Sequence, residues 1–116
     1  GDINGDGRED AVVGSWQVAP PQIRMHFQND SSGFVAGPTV TSPANAVLPV
    51  NGLGLADYNG DDRLDLAFTW GGNLPNVGLR IMFQDQQGGF VEYRDYPTFD
   101  SPGELSAADI NLDGRG

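Results

Sequence analysis

The sequence predicts an all-β fold: blades of a β-propeller, each a sheet of four short antiparallel strands. Three observations predict it. Apolar residues alternate with a period of two. The whole pattern returns after about 55 residues. Turn formers interrupt it throughout, with 17 glycines and 8 prolines among 116 residues. No segment of ten residues carries helical periodicity with caps at its ends. Four short strands in a repeat of about 50–55 residues is the layout of a propeller blade.

The repetition rests on two independent blocks. Asp2-Ile3-Asn4-Gly5-Asp6-Gly7-Arg8-Glu9-Asp10 returns 55 residues on as Asp57-Tyr58-Asn59-Gly60-Asp61-Asp62-Arg63-Leu64-Asp65. It starts again 52 residues further as Asp109-Ile110-Asn111-Leu112-Asp113-Gly114-Arg115. Ile23-Arg24-Met25-His26-Phe27-Gln28 matches Leu79-Arg80-Ile81-Met82-Phe83-Gln84 at a spacing of 56, and Gly33-Phe34-Val35 matches Gly89-Phe90-Val91 at the same offset.

Taken along the chain, residues 11–16 read as a β-prone strand leaving the first Asp-rich loop. Ile23, Met25 and Phe27 alternate with Arg24, His26 and Gln28, which predicts a strand with the three apolar residues on its buried face. A third strand begins at Phe34. Residues 53–57 form a short strand entering the second loop, and 64–70 leave it and stop at Gly71-Gly72. Residues 78–85 repeat the alternation, with Leu79, Ile81 and Phe83 expected inside. Gln87-Gly88-Gly89 makes a tight turn into a last strand over 90–97. Residues 105–108 are expected to enter the third loop as an eighth strand.

The chain thus divides into 1–51, three strands of one blade; 52–103, a full blade; and 104–116, the start of a third. Two blades alone would expose apolar faces and open edges. The chain therefore reads as an excerpt of a longer array, covered by neighbouring blades of the same or another chain.

The loops carry the chemistry. Counted from the first Asp, oxygen side chains stand at position 1 (Asp2, Asp57, Asp109), 3 (Asn4, Asn59, Asn111), 5 (Asp6, Asp61, Asp113) and 9 (Asp10, Asp65). Odd positions of a tightly wound loop point to one centre, and hard oxygens suit Ca²⁺, which takes about 6–8 of them. The backbone carbonyls of position 7 (Arg8, Arg63, Arg115) complete the expected ligand set. Gly at position 6 allows a positive φ, and Asp62 takes its place in the second loop. Eight of the sixteen acids are these ligands, and three Ca²⁺ would bring the net charge from −10 to −4. Solvated turns rich in Asn and Asp are the plain alternative. An EF-hand is excluded, because position 12 is Val13 or Phe68 rather than Glu, and a strand follows. Mg²⁺ prefers water and few protein ligands, and Zn²⁺ lacks its nitrogen and sulfur donors.

The charge balance argues against nucleic acid and anionic membranes as partners, and no apolar run reaches the ~18–20 residues of a membrane span. Cysteine is absent and His26 is the one histidine, so thiolate and metal–histidine sites are excluded. His26 shares its strand face with Arg24 and Gln28 and reads as a solvated or blade-interface residue. No nucleophile-elbow pattern accompanies any Ser, and no cluster of Lys, Arg, His or Tyr beside a carboxylate is visible, so catalysis is not expected. Trp16, Trp70, Tyr93 and Tyr96 are candidates for stacking on sugar rings, with at least one of the two Trp expected in the core. The loops 17–21 and 71–77 differ between copies and hold Pro20, Pro21 and Pro75; such loops are where recognition residues gather.

Asp-x-Asn-Gly-Asp-Gly-x-x-Asp before an apolar strand, followed by Gly33-Phe34-Val35-Ala36-Gly37-Pro38, resembles the FG-GAP or VCBS-type repeat over nearly the whole chain. The second copy lacks the Gly-Pro element. The resemblance implies blades of integrin-α-like propellers, commonly seven-bladed, with Ca²⁺ in the blade loops. It also implies an extracellular location, secreted or at the cell surface, and a protein or glycan ligand on the propeller face. Some proteins of this kind are parts of polysaccharide lyases, which stands as the alternative to a non-catalytic adhesion or glycan-binding module.

Overall fold

The structure is a computed structural model that describes residues 1–15, 20–31, 33–43, 49–72, 74–99, 102–110 and 112. Among these, seven strands and no helix occur: β1 Ala11–Gly14, β2 Gln22–Gln28, β3 Phe34–Thr41, β4 Val50–Ala56, β5 Asp65–Trp70, β6 Gly78–Gln84 and β7 Phe90–Tyr96. No described helix is long and apolar enough to cross a membrane. The strands form two antiparallel sheets, β1-β2-β3 and β4-β5-β6-β7, each strand beside its sequence neighbour. The all-β reading is seen, in one three-stranded and one four-stranded sheet. Trp16 and most of the loop 17–21 lie outside the described residues.

Local chemistry accounts for the turns. In the β6–β7 hairpin, Asp85 accepts from the amides of Gln87 and Gly89 at 2.9 and 2.7 Å, and Gly88 takes φ 79°. The β2–β3 turn does the same with Asn29, which accepts from Ser31 and Gly33 at 3.0 Å each. An Asx side chain that captures amides two and four residues on replaces the bonds the bend removes.

The eighth strand is not formed. Residues 102–109 carry no strand assignment, although the segment lies along β4: a Cβ on Gly52 would stand 2.7 Å from the Leu105 nitrogen. Thr69 also donates to the Gly103 carbonyl at 3.1 Å. A strand needs a ladder partner.

The two sheets stack. One core cluster contains Ile3, Ile23, Met25 and Val40 from the first unit and Leu66, Phe68, Trp70 and Met82 from the second. Each side chain of this size contributes about 1.5–3 kcal/mol on burial. The stacking corrects one expectation. In β2, Ile23 and Met25 are buried as read, with Phe27 packed beside them. In β6 the alternation is reversed: Arg80, Met82 and Gln84 are buried, while Leu79, Ile81 and Phe83 are half-buried. The equivalent faces of β2 and β6 point the same way along the stack. The face of β2 meets the second sheet, whereas that of β6 looks away from the first. Period two locates the two faces of a strand but does not say which is more deeply covered when both are packed.

Arg80 is buried because its charge is matched. It makes two bonds to the Asp95 carboxylate, 2.6 and 2.7 Å, and lies 3.6 Å from the centre of the Tyr93 ring. His26 stands on the opposite face of β2 from the core, next to exposed Arg24. His26→Ala should therefore move the denaturant midpoint by the equivalent of about 0.5 kcal/mol or less. A larger loss would give His26 a structural role.

Candidate metal centre

The two complete loops are built alike. Asp2 accepts at one oxygen from the amides of Gly5 and Asp6, at 2.8 and 3.0 Å, and at the other from Gly7 at 2.8 Å. Asp57 repeats this with Gly60 at 2.7 Å, Asp61 at 3.1 Å and Asp62 at 2.8 Å. The position 1 carboxylate is thus the hub around which the loop is wound. Asp6 and Asp61 accept from the amides of Arg8 and Arg63, both at 3.0 Å. The side-chain amides of Asn4 and Asn59 donate to the same carboxylates at 3.2 and 3.0 Å. Positions 1 and 5 are therefore linked through the position 5 amide, and positions 3 and 5 through their side chains.

The winding needs left-handed backbone at positions 4 and 6. Gly5 and Gly7 take φ 75° and 85°, and Gly60 takes 83°. Nothing lies within 4 Å of a Cβ built on Gly5 or Gly7, so the demand there is conformational rather than steric. Asp62 adopts φ 65° and Leu112, at position 4 of the third loop, 59°. The sequence reading anticipated the first of these and missed the second. Asp62→Gly should stabilise the fold by about 0.5 kcal/mol and Gly7→Ala should destabilise it by about 1 kcal/mol, the sign following from the cost of left-handed φ for residues with a Cβ. Paired urea melts check this, and equal signs would contradict it.

Position 9 behaves differently from positions 1, 3 and 5. Asp10 accepts from the amides of Ile3 at 2.8 Å and Asn4 at 3.3 Å, and from Gln28 at 2.9 Å. Asp65 accepts from Tyr58 at 3.0 Å and Gln84 at 2.9 Å. Each carboxylate ties the start of its loop to the last residue of the strand after next, β2 for Asp10 and β6 for Asp65. Both are buried, Asp65 completely. Among the described residues, no three acidic, His or Cys side chains form a group that could hold an ion. Position 9, like position 1, serves backbone amides, but it does so from a buried place and across the blade. Of the third loop, Asp109 is described; Asn111, Asp113 and Arg115 lie outside the described residues.

The electrostatics separate the two kinds of acid. Desolvation opposes the charge on Asp57, but the amides of Asp62, Gly60 and Asp61 outweigh it and hold the carboxyl below its ordinary value. Burial pushes the Asp65 carboxyl up, against the pull of the Gln84 and Tyr58 amides, and the nearby charges of Asp61 and Asp57 add to the rise. Positive charge already settles on position 5: Arg8 pairs with Asp6 at 3.2 Å and also with Asp30, and Arg63 pairs with Asp61 while donating to the Gln84 carbonyl at 3.0 Å. Asp and Asn oxygens with a backbone carbonyl make an all-oxygen donor set, the kind that suits Ca²⁺.

The aromatic candidates divide. Trp70 is buried, its ring 6.0 Å from that of Phe68, and so belongs to the core. Tyr93 and Tyr96 on β7 are exposed. Tyr96 lines a 340 Å³ hollow with Tyr58, Ile81, Phe83 and Arg94. The sequence reading did not pick out Tyr58 or the glutamines that close the position 9 bridges. The recurrence of Gln28 and Gln84 at the end of both copies was the available signal.

Stacked antiparallel sheets, each carrying an acidic loop wound on its first Asp, define a repeat protein of β-propeller-like design. The FG-GAP-like repeat model matches residues 2–68, more than half of the chain, and the chain belongs to that family. Comparison with curated proteins and with solved structures found no match.

Proposed function

We propose that the chain is a calcium-stabilised, non-catalytic part of an extracellular β-propeller, secreted or at the cell surface, that binds a protein or glycan. One observation carries the calcium reading. Two loops 55 residues apart adopt the same winding, with the same amides on Asp2 and Asp57 and the same Asn–Asp link at positions 3 and 5. Asp2, Asn4, Asp6 and the Arg8 carbonyl would hold one ion; Asp57, Asn59, Asp61 and the Arg63 carbonyl would hold another. Water would complete the shell to about 6–8 ligands. The ion would supply charge neutralisation and would brace the loop. Asp10 and Asp65 would support the shell from behind.

Extracellular placement follows from the same chemistry. Loops with this few charged donors bind in the range of extracellular modules, about 10⁻⁴–10⁻³ M, and would fill where Ca²⁺ is millimolar. The exposed Tyr93 and Tyr96 support a recognition surface on β7. Calorimetric titration of Ca²⁺ into chelator-treated protein tests the reading. Saturable binding that weakens in both Asp2→Ala and Asp57→Ala is expected. No binding heat up to 10 mM Ca²⁺ would overturn it.

A further inference from the structure

The two loops are joined through the interior. The Ile3 amide, between Asp2 and Asn4, donates to Asp10 at 2.8 Å, and the Ile3 carbonyl accepts from the Gln84 side-chain amide at 2.8 Å. The Gln84 backbone amide donates to Asp65 at 2.9 Å, and the other Asp65 oxygen accepts from the Tyr58 amide, between Asp57 and Asn59, at 3.0 Å. Every linking residue except Tyr58 is buried: Ile3, Asp10, Gln84 and Asp65 are 2, 8, 6 and 0% exposed. The Gln84–Ile3 bond spans 81 residues of sequence and crosses from one sheet to the loop of the other.

We propose that Gln84 is a positioning residue that couples the two cation loops, so that an ion in one raises the affinity of the other. The inference rests on the calcium reading above. In each loop the residue at position 2 stands between two proposed ligands, so fixing either of its peptides restrains how positions 1 and 3 project. Gln84 grips the Ile3–Asn4 peptide of the first loop with its side chain, at the Ile3 carbonyl. In the second loop it acts through the Asp65 carboxylate, which holds the Asp57–Tyr58 peptide at the Tyr58 amide. Ordering one loop around an ion therefore orders the element that the other loop must order, and part of that cost is met once rather than twice. Gln28 holds the equivalent place in the first sheet, where its amide donates to Asp10 at 2.9 Å. It does not lie between the two loops.

The protein carries its own reporter. Tyr58 sits inside the second loop, whereas the first has Ile3 at that position. The part of the sensitised terbium luminescence that Tyr58→Phe removes therefore reads the second loop. In the otherwise unchanged protein, Asp6→Asn in the first loop should move the terbium midpoint of the second loop about fivefold higher. In a Gln84→Met background, which keeps side-chain length and removes the donor, the same Asp6→Asn change should leave that midpoint where it was. Gln28→Met should preserve the fivefold shift. If Asp6→Asn has no effect on the second loop of the unchanged protein, the loops are independent and the coupling is overturned while the calcium reading stands. That arm does not depend on the folding of the Gln84 variant. If terbium gives no sensitised signal in the unchanged protein, the calcium reading itself fails and the coupling with it. If the fivefold shift persists in Gln84→Met, coupling runs through another route and Gln84 is not its carrier.

Discussion

Asp65→Ala should lower stability by about 3–5 kcal/mol, the largest loss expected from any loop substitution. The carboxylate is fully buried and accepts from two backbone amides, Tyr58 at 3.0 Å and Gln84 at 2.9 Å. Alanine leaves the buried Gln84 amide and the part-buried Tyr58 amide without an acceptor, at about 1–3 kcal/mol each, and opens a small cavity. Asp65→Asn sharpens the test. Asparagine keeps one acceptor oxygen but turns an N–H donor toward the second amide, so at least about 2 kcal/mol should still be lost. A residue that acted only as a metal ligand would behave otherwise. Asparagine would supply a neutral oxygen ligand, and the loss would vanish in chelator. Urea midpoints measured in chelator separate the two roles. A loss below about 1 kcal/mol for Asp65→Ala under those conditions would show that the bridge between loop and β6 contributes little.

The same bridge shows how far the sequence could be read. Strand order, repeat length and loop positions were legible because each rests on a local pattern: period-two alternation, Gly-rich turns, and the Asp-x-Asn-Gly-Asp motif. The buried face of β6 was misread because it depends on which sheet lies above it. Leu79, Ile81 and Phe83 look like the core of an isolated strand, but the stack buries Arg80, Met82 and Gln84 more deeply. Arg80 can occupy that face only because Asp95 lies directly across in the register of β6 and β7, a partner 15 residues away. The division of labour among the acids was also hidden. Position 9 has the same residue type and the same odd spacing as positions 1 and 5. What separates it is burial and the amides of Gln28 and Gln84, contacts across about 20 residues that no local spacing reveals. The 105–108 segment has the right composition for a strand, but a strand exists only with a partner.

Chelation should destabilise the protein by about 5 kcal/mol relative to saturating Ca²⁺. A ligand bound by the folded form alone contributes about 2.7 kcal/mol per site at 100 times its Kd, and two loops of the same winding double this. For a domain of this size the melting temperature should fall by more than about 15 °C. The origin is electrostatic. Each loop carries carboxylates at positions 1 and 5, and the cation paired with position 5, Arg8 or Arg63, is itself partly exposed. A divalent ion would place twice that charge at shorter range. Mg²⁺ retains its own water and should recover much less of the loss than Ca²⁺ at equal concentration. Asp2→Ala and Asp57→Ala should each remove about half of the Ca²⁺-dependent increment, and the double variant nearly all of it. The increment, rather than absolute stability, is the quantity to compare, because each Asp also holds three loop amides whether or not an ion is bound. Coincident melts in chelator and in 10 mM Ca²⁺ would leave the two loops as turns braced by hydrogen bonds alone.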